Sequence, residues 1–371
     1  MKQTIRISSF QLNAILINFL IGSSIVIGFV KESGNDSWIA VLLAYLYGIF
    51  LFLFYCKLFY WADSVSFVQV ILFALGKYLG MLFSYAYIAY FIYITARLVT
   101  DFAYLTQSTL LTNKSLWILS LIFIITLMFA CYFGIEAFAR TGEILFFITF
   151  TFFILSIMLA LINGQFVFNN IQPILGNGWS HVFQSLFPTT ITFPIGEMIA
   201  CTTLFTYVKR NDHFPFKGVI SILLLGCILS IGALITMGML GPELFQDSVY
   251  PFLEALKKIY IFNIIQRFDL IGVVIFMIGG FIKATVYFLA AFIIFTDLHP
   301  KIKKVPIIIT FGVIVLCISI NLSKEFSKFL YIGLVKVPIF LHIPFQIIIP
   351  LLIALIIFFK KKFFNPSSPQ S

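Results

Sequence analysis

The chain has 371 residues, of which 61% are hydrophobic and 10% are charged, and its mean hydropathy is +1.08. Soluble domains carry about 25% charged residues, so this composition excludes a soluble globular domain and indicates a polytopic membrane protein. The net charge of +10 comes from short basic runs between apolar stretches, which are typical of topology determinants and lipid contacts rather than of a nucleic-acid surface.

Apolar stretches of about 20 residues, the length that crosses a bilayer, recur ten times along the chain. Lys and Arg are more numerous in the segments that lie on the same side of the membrane as the N-terminus. With ten spans, this excess predicts that both termini are cytoplasmic. We expect one integral membrane domain over residues 1–371, with a disordered cytoplasmic tail over 365–371. The predicted spans are Ser8–Val30, Ser37–Tyr60, Leu79–Thr106, Ser115–Phe133, Glu143–Asn163, Val182–Tyr207, Phe216–Leu240, Leu270–Phe295, Val305–Leu322 and Val337–Phe359.

The sixth predicted span carries helix-breaking residues near its middle. Pro194 lacks an amide hydrogen and clashes with the preceding turn, and Gly196 follows it, so we expect the helix to break there. Backbone groups freed inside a bilayer need protein or a water-filled cavity, and such breaks form the solute sites of many secondary transporters. The structural alternative is a proline kink that only improves packing.

The first span has a weak point at Gly22, Ser23 and Ser24, because glycine and serine lower helix propensity. Tight helix packing would also explain these small residues. If residues 8–163 and 182–359 form two inverted five-span repeats, span one corresponds to span six and both are interrupted. Matched breaks of this kind predict a binding site near the middle of the membrane.

Three ionisable residues, Arg97, Glu197 and Lys283, fall well inside the predicted spans. Each costs about 2.5 to 3.5 kcal/mol at mid-helix on insertion scales, so each is expected to face an interior partner or water. Tyr93, Arg97 and Asp101 recur every four residues and share a helix face. Asp101 either pairs with Arg97 there or, like a bound carboxylate, completes the charge balance of the interior.

Lys283 shares a face of span eight with Tyr287, and Thr285 is adjacent. Its ammonium group could respond to protons, replace a sodium ion as a permanent internal cation, or act as a gate. Glu197 follows the expected break in span six, near the start of a half-helix. There it is either a fixed cap or an acceptor for a ligand ammonium or a proton.

Nothing in the sequence indicates catalysis. It contains neither a nucleotide-binding glycine loop nor metal-ligand spacing, and its five cysteines are not spaced as pairs. We therefore expect no cofactor, no metal site and no enzymatic activity. The four histidines are scattered near the ends of spans, at His181, His213, His299 and His342.

Three stretches carry a family resemblance. Gly-Ile-Glu-Ala-Phe-Ala-Arg-Thr-Gly-Glu-Ile opens span five (Gly134–Ile144), and Phe-Pro-Ile-Gly-Glu breaks span six (Phe193–Glu197). Tyr-Pro-Phe-Leu-Glu-Ala-Leu-Lys-Lys-Ile, Gln-Arg-Phe-Asp and Phe-Ile-Lys lead into span eight (Tyr250–Ile259, Gln266–Asp269, Phe281–Lys283). In this order they resemble the B-subunit family of endospore germinant receptors, which are spore-germination permeases of the amino acid–polyamine–organocation (APC) transporter superfamily.

The resemblance implies an all-α, LeuT- or APC-like membrane bundle of about ten helices, built as a 5+5 inverted repeat with helices 1 and 6 interrupted. It implies an inner spore membrane protein that works with A- and C-type subunits and senses a small germinant, such as an amino acid, to trigger germination. Two alternatives stay open: a proton- or cation-coupled amino acid permease, and a scaffold or ion-conducting subunit without a ligand.

Position within the family pattern and the interior charges together give the candidate site. An ion-pair network is expected at the cytoplasmic turn between spans four and five, and Asp101 is a fourth candidate for a structural ion pair. The candidate substrate-binding residues are Gly22, Ser23, Ser24, Tyr93, Arg97, Thr190, Phe193, Pro194, Gly196, Glu197, Lys283, Thr285 and Tyr287, and the turn residues are Glu136, Arg140 and Glu143.

Overall fold

The structure, a computed structural model, describes residues 6–22, 30–62, 66–209, 213–260 and 267–364. The predictions for Ser23, Ser24 and the tail 365–371 lie outside these residues. The described part is almost entirely helical, as expected of apolar segments that must satisfy their own backbone hydrogen bonds inside a membrane. The prediction of an all-α polytopic membrane protein is confirmed.

Within the residues that the structure describes, eight helices are long and apolar enough to cross a membrane, and they correspond to all predicted spans except one and six. The described part of span one contains the 13-residue helix Ser9–Ile21. Span six is divided into the α-helix Gly178–Ser185, a segment of wide, π-helical turns over Leu186–Ile195 and a segment of tight, 3₁₀-helical turns over Gly196–Tyr207. Spans two to five and seven to ten are Lys31–Trp61, Phe67–Thr109, Leu116–Phe133, Ile135–Ile162, Phe214–Leu240, Asp269–Leu298, Lys304–Leu322 and Phe326–Lys362.

Spans three, five and ten show the largest differences from the prediction, because each begins about two turns or more before its predicted start. Span three starts at Phe67 and continues through a kink at Gly76, span five starts at Ile135, and span ten starts at Phe326. Charged residues near these starts lower the local hydropathy, so the predicted boundaries lie too far along the sequence. The helices continue through them because their backbone hydrogen bonds do not depend on apolar side chains.

Spans two, three and four each pack against the span five positions later. The most extensive contacts join span three to span eight and span two to span seven, and span four packs against span nine. Two five-span repeats related by a two-fold axis are expected to pack in this way. Span eight lies at the centre, because 78% of its apolar window is buried.

The start of span one and the end of span six meet at one end of the bundle. Ile7 forms a parallel β-bridge with Val208, and its amide donates to Tyr207 O at 2.8 Å. The two interrupted spans are thus joined through their backbones, which helps to hold their breaks at a common depth.

Candidate functional site

The helix Ser9–Ile21 of span one ends at Gly22. Ser8 caps the start of the helix in a capping box with Gln11, and the last turn closes where Gly22 adopts φ 25° and ψ −126°. Side-chain-bearing residues rarely take this conformation. A Cβ at Gly22 would also lie 2.9 Å from Phe19 O and 3.0 Å from Lys283 Cδ. Glycine is therefore required both by the break and by the lysine that passes it.

The break predicted in span six is present. Phe193 has extended backbone angles (φ −122°, ψ 116°), and the tight turns that begin at Gly196 follow. Glu197 lies in the first of these turns and is buried. The positive end of a helical segment stabilises a carboxylate there. The local sequence therefore sets a negative charge beside the break.

Lys283 of span eight connects the two breaks. Its side chain passes Gly22, and Nζ lies 2.5 Å from Glu197 Oε2, while both side chains are almost completely buried. Nζ also lies 4.2 Å from the centre of the Phe193 ring, a cation–π distance. The burial expected of the interior charges is confirmed. One ion pair therefore links span eight to span six at the level where span one ends.

A cavity adjoins the Glu197 side of this pair. It lies between spans three, six and ten and contains about 50 Å³ of space for water-sized molecules, several times what one water needs. Its polar walls come from Arg97, Asp101, Glu197 and His342, and the rest is mostly apolar. The apolar lining residues, with one glycine, are Ile94, Leu98, Phe193, Leu330, Gly333, Leu334 and Val337.

Arg97 is held by the start of span ten. Nη2 donates to Phe329 O at 3.1 Å, and the guanidinium carbon lies 4.2 Å from the centre of the Phe329 ring. A Cβ at Gly333 would overlap Nη2, so the guanidinium packs directly on that backbone. The expected ion pair with Asp101 is not formed among the described residues, because these backbone contacts hold the guanidinium on span ten instead.

Tyr93 does not line the cavity. The cavity face of span three consists of Ile94, Arg97, Leu98 and Asp101, and Tyr93 is partly exposed. A helix turns 100° per residue, so each step of four residues rotates about 40° beyond a full turn. Two such steps from Asp101 carry Tyr93 off the face that lines this cavity, and its role in substrate binding stays a prediction.

A hydrogen-bond chain joins the cavity to the break in span six. Tyr55 Oη donates to Gln346 O at 2.7 Å and lies 3.3 Å from Gly196 O. Gln346 Nε2 donates to Tyr90 Oη at 2.9 Å, which leaves the Tyr90 hydroxyl proton for His342 Nδ1 at 2.8 Å. A neutral His342 then carries its proton on Nε2 and can donate it to another group.

The sequence analysis did not predict this series of hydrogen bonds. His342 and Gln346 sit four residues apart in an apolar span that contains Pro344, and wide helical turns run from Pro338 to Ile348. Wide turns of this kind are frequent at functional sites. The signal was present, because a buried polar pair at i and i+4 in a membrane helix needs interior partners.

The other predicted residues lie near the breaks but do not line the cavity. Thr190 Oγ1 donates to Ser185 O at 2.9 Å within span six. Tyr287 is fully buried, with its ring 5.6 Å from that of Phe19. The hydroxyl of Thr285 has no hydrogen-bond partner among the described residues, whereas the hydroxyl of Tyr287 lies beside the Glu197 carboxylate.

The ion-pair network expected of Glu136, Arg140 and Glu143 is not formed within the described chain. The turn between spans four and five is only Gly134 (φ 86°), so all three residues lie on the first turns of span five. Glu136 and Arg140 are exposed, and Glu143 Oε2 accepts from Gln11 Nε2 at 3.1 Å. Glu143 therefore links span five to span one.

The loop after span seven reaches the Asp101 end of the cavity. Tyr250 precedes the short helix Pro251–Lys257, whose apolar side chains are buried against spans seven and eight. Burial and, to a smaller extent, the Asp101 carboxylate raise the pKa of the Tyr250 phenol. The cavity therefore lies towards the end of the bundle that carries this loop.

Comparison with known proteins identifies the family. The sequence model of the family described as "Spore germination protein" matches residues 6–327. The chain belongs to this family. Spore germination protein KB of Bacillus subtilis (strain 168) is 30% identical over 361 residues, which cover 96% of each chain. Spore germination protein YndE of the same organism is 24% identical over 316 residues, 84% of this chain and 85% of that one.

Solved structures give the fold of this spore germination family member. MhsT, solved in complex with L-phenylalanine, matches with a TM-score of 0.65 at 15% identity, over 96% of this chain and 89% of that one. A Na⁺-coupled sialic acid symporter matches with a TM-score of 0.64 at 11% identity, over 99% and 92%. The fold is that of LeuT-type transporters, as predicted. Family and fold together support a membrane protein of spore germination with a transporter-like fold.

Proposed function

We propose that this chain is the membrane subunit of a nutrient germinant receptor, which binds a small germinant, an amino acid, and thereby triggers spore germination. The single observation that carries the proposal is the buried Lys283–Glu197 pair, placed where spans one and six break and next to a cavity that also contains Arg97 and Asp101. Membership of a spore germination family supports the biological role, and the transporter fold supports a ligand inside the bundle.

The site would respond to a ligand through Glu197. Its carboxylate both pairs with Lys283 and lines the cavity, so an ammonium group in the cavity competes with Lys283 for it. Weakening this pair changes how strongly span eight holds spans one and six together. A ligand shifts a conformational equilibrium by its differential affinity for the two states, and this competition provides the difference.

The setting of the subunit is part of the proposal. It would lie in the inner spore membrane with both termini in the cytoplasm, and A- and C-type subunits would relay its change of state. The excess of Lys and Arg on the N-terminal side supports the orientation. The family supports the location.

A germination assay tests the proposal. Spores that lack the chain are complemented with the wild-type protein, with Gly22→Ala, or with Gly164→Ala. The last is a matched control, because Gly164 also has a positive φ but no atom within 4 Å of its would-be Cβ. We expect the response to one nutrient to be lost without the chain and restored by wild type and Gly164→Ala, but not by Gly22→Ala. Equal germination of deleted and wild-type spores on every nutrient would refute the role.

A proton- or cation-coupled amino acid permease is the second candidate, and the transporter fold is the observation that favours it. Purified protein in liposomes separates the two candidates. Accumulation of labelled amino acid that follows an imposed proton or sodium gradient would favour transport. Saturable binding without accumulation would favour a receptor.

A further inference from the structure

Arg97 has a hydrogen-bond donor that the protein leaves unused. The residue is only 7% exposed, and its Nη1 is buried without a hydrogen-bond partner among the described residues. The guanidinium contacts the carbonyl and ring of Phe329 and the backbone of Gly333. A buried donor on a charged group is costly to leave unpaired. Arg97 also lines the cavity, so a group in the cavity can meet the guanidinium.

The charges around the cavity specify the kind of ligand. Lys283 and Glu197 neutralise each other, and Arg97 and Asp101 add one charge of each sign without pairing directly. A zwitterion adds no net charge to this arrangement, whereas a lone anion or cation would leave one buried charge unbalanced. The remaining walls are aliphatic or aromatic side chains. A small α-amino acid with an apolar side chain matches these three properties.

We propose that Arg97 is the carboxylate receptor of this cavity, binding the carboxylate of a small apolar amino acid through Nη1 while the ammonium group faces Asp101 and Glu197. Arginine suits this role because its planar fork matches a carboxylate. The inference rests on the proposed function, whose ligand site it specifies.

Gly333 provides a way to move Arg97 without changing its charge. A methyl group at this position would overlap Nη2, so Gly333→Ala must displace the guanidinium. Lys336 provides the matched control for loss of a cation, because it is exposed on the same span and does not line the cavity.

The test is calorimetric binding to the purified full chain in detergent. The probes are glycine, L-alanine and L-valine, each paired with its carboxamide, together with propionate, which lacks the ammonium group. We expect wild type to bind at least one amino acid about tenfold or more tightly than its amide, as the loss of a charged hydrogen bond predicts. Arg97→Gln and Gly333→Ala should lose this preference, Arg97→Lys should retain part of it, and Lys336→Gln should retain all of it.

Equal affinity of wild type for each acid and its amide would overturn the proposal, and so would an unchanged preference in both Arg97→Gln and Gly333→Ala. If wild type bound none of the three amino acids, the proposal would also be overturned. The germinant-receptor role would survive that failure if spores still needed the chain to respond to another nutrient. Conversely, Arg97-dependent binding with normal germination of deleted spores would support the site and refute the role.

Discussion

Lys283 Nζ lies 2.5 Å from Glu197 Oε2, so that a lysine of span eight and a glutamate of span six neutralise each other where spans one and six break. Two buried charges are tolerated because each is the other's partner. Loss of either one leaves the other charge unpaired in a low-dielectric interior. The pair thus couples three spans at one point.

Removal of one member of the pair should destabilise the protein strongly. We expect Lys283→Met to lower the free energy of unfolding by about 3 to 5 kcal/mol, because Glu197 is left buried and charged. The double variant Glu197→Gln/Lys283→Met should recover most of this loss. Reversible unfolding of the purified protein in mixed micelles measures both. A Lys283→Met variant as stable as wild type would contradict the ion pair.

Gly22 and Gly164 should respond differently to the same substitution. Gly164→Ala places a side chain at positive φ in open space, so its cost should be the backbone strain alone, about 1 to 2 kcal/mol. Gly22→Ala adds collisions with Phe19 O and Lys283 Cδ and should cost more. It should also weaken ligand binding, which Gly164→Ala should leave unchanged. Thermal unfolding measures the change in stability, and equilibrium dialysis measures the change in affinity. Equal stability and equal affinity of the two variants would contradict the contact of Gly22 with Lys283.

The hydroxyl of Tyr90 should contribute to stability, whereas that of Tyr45 should not. Tyr90→Phe leaves Gln346 Nε2 and His342 Nδ1 without their shared partner and should cost about 1 to 3 kcal/mol. Tyr45 is equally buried, but its hydroxyl has no partner in the described chain, so Tyr45→Phe should be close to neutral. Denaturation curves of the two variants provide the comparison, and a neutral Tyr90→Phe would contradict the hydrogen-bond chain.

Ser319 should be structural only. Its hydroxyl lies 2.9 Å from Thr100 Oγ1 and donates to Ser120 Oγ at 3.2 Å, which links spans three, four and nine away from the cavity. Hydrogen bonds between membrane helices contribute about 0.6 kcal/mol on average. Ser319→Ala should therefore lower stability by about that amount without changing ligand affinity. A clear loss of affinity would show that the scaffold and the site are coupled.

The sequence predicted those parts of the site that follow from composition alone. Proline and glycine revealed the break in span six, and charge inside an apolar span identified Arg97, Glu197 and Lys283 as interior residues. The contact partners of these side chains could not be predicted, because they depend on how the spans pack against one another. The Lys283–Glu197 pair joins residues 86 positions apart in the numbering, and the cavity depends on span ten, whose wide turns around Pro344 have no simple periodicity. A spacing of four also drifts around the helix, which sets Tyr93 apart from the residues of span three that line this cavity.

Binding to the charge-balanced double variant tests the central claim most directly. Glu197→Gln/Lys283→Met removes the ion pair that joins the two breaks while leaving no unpaired buried charge, so the protein should still fold. Equilibrium dialysis of radiolabelled glycine, L-alanine and L-valine against the purified chain measures the affinity. The account predicts saturable binding by wild type and a loss of about tenfold or more in the folded double variant. Equal affinity of the two proteins would contradict a ligand site at the meeting of these breaks.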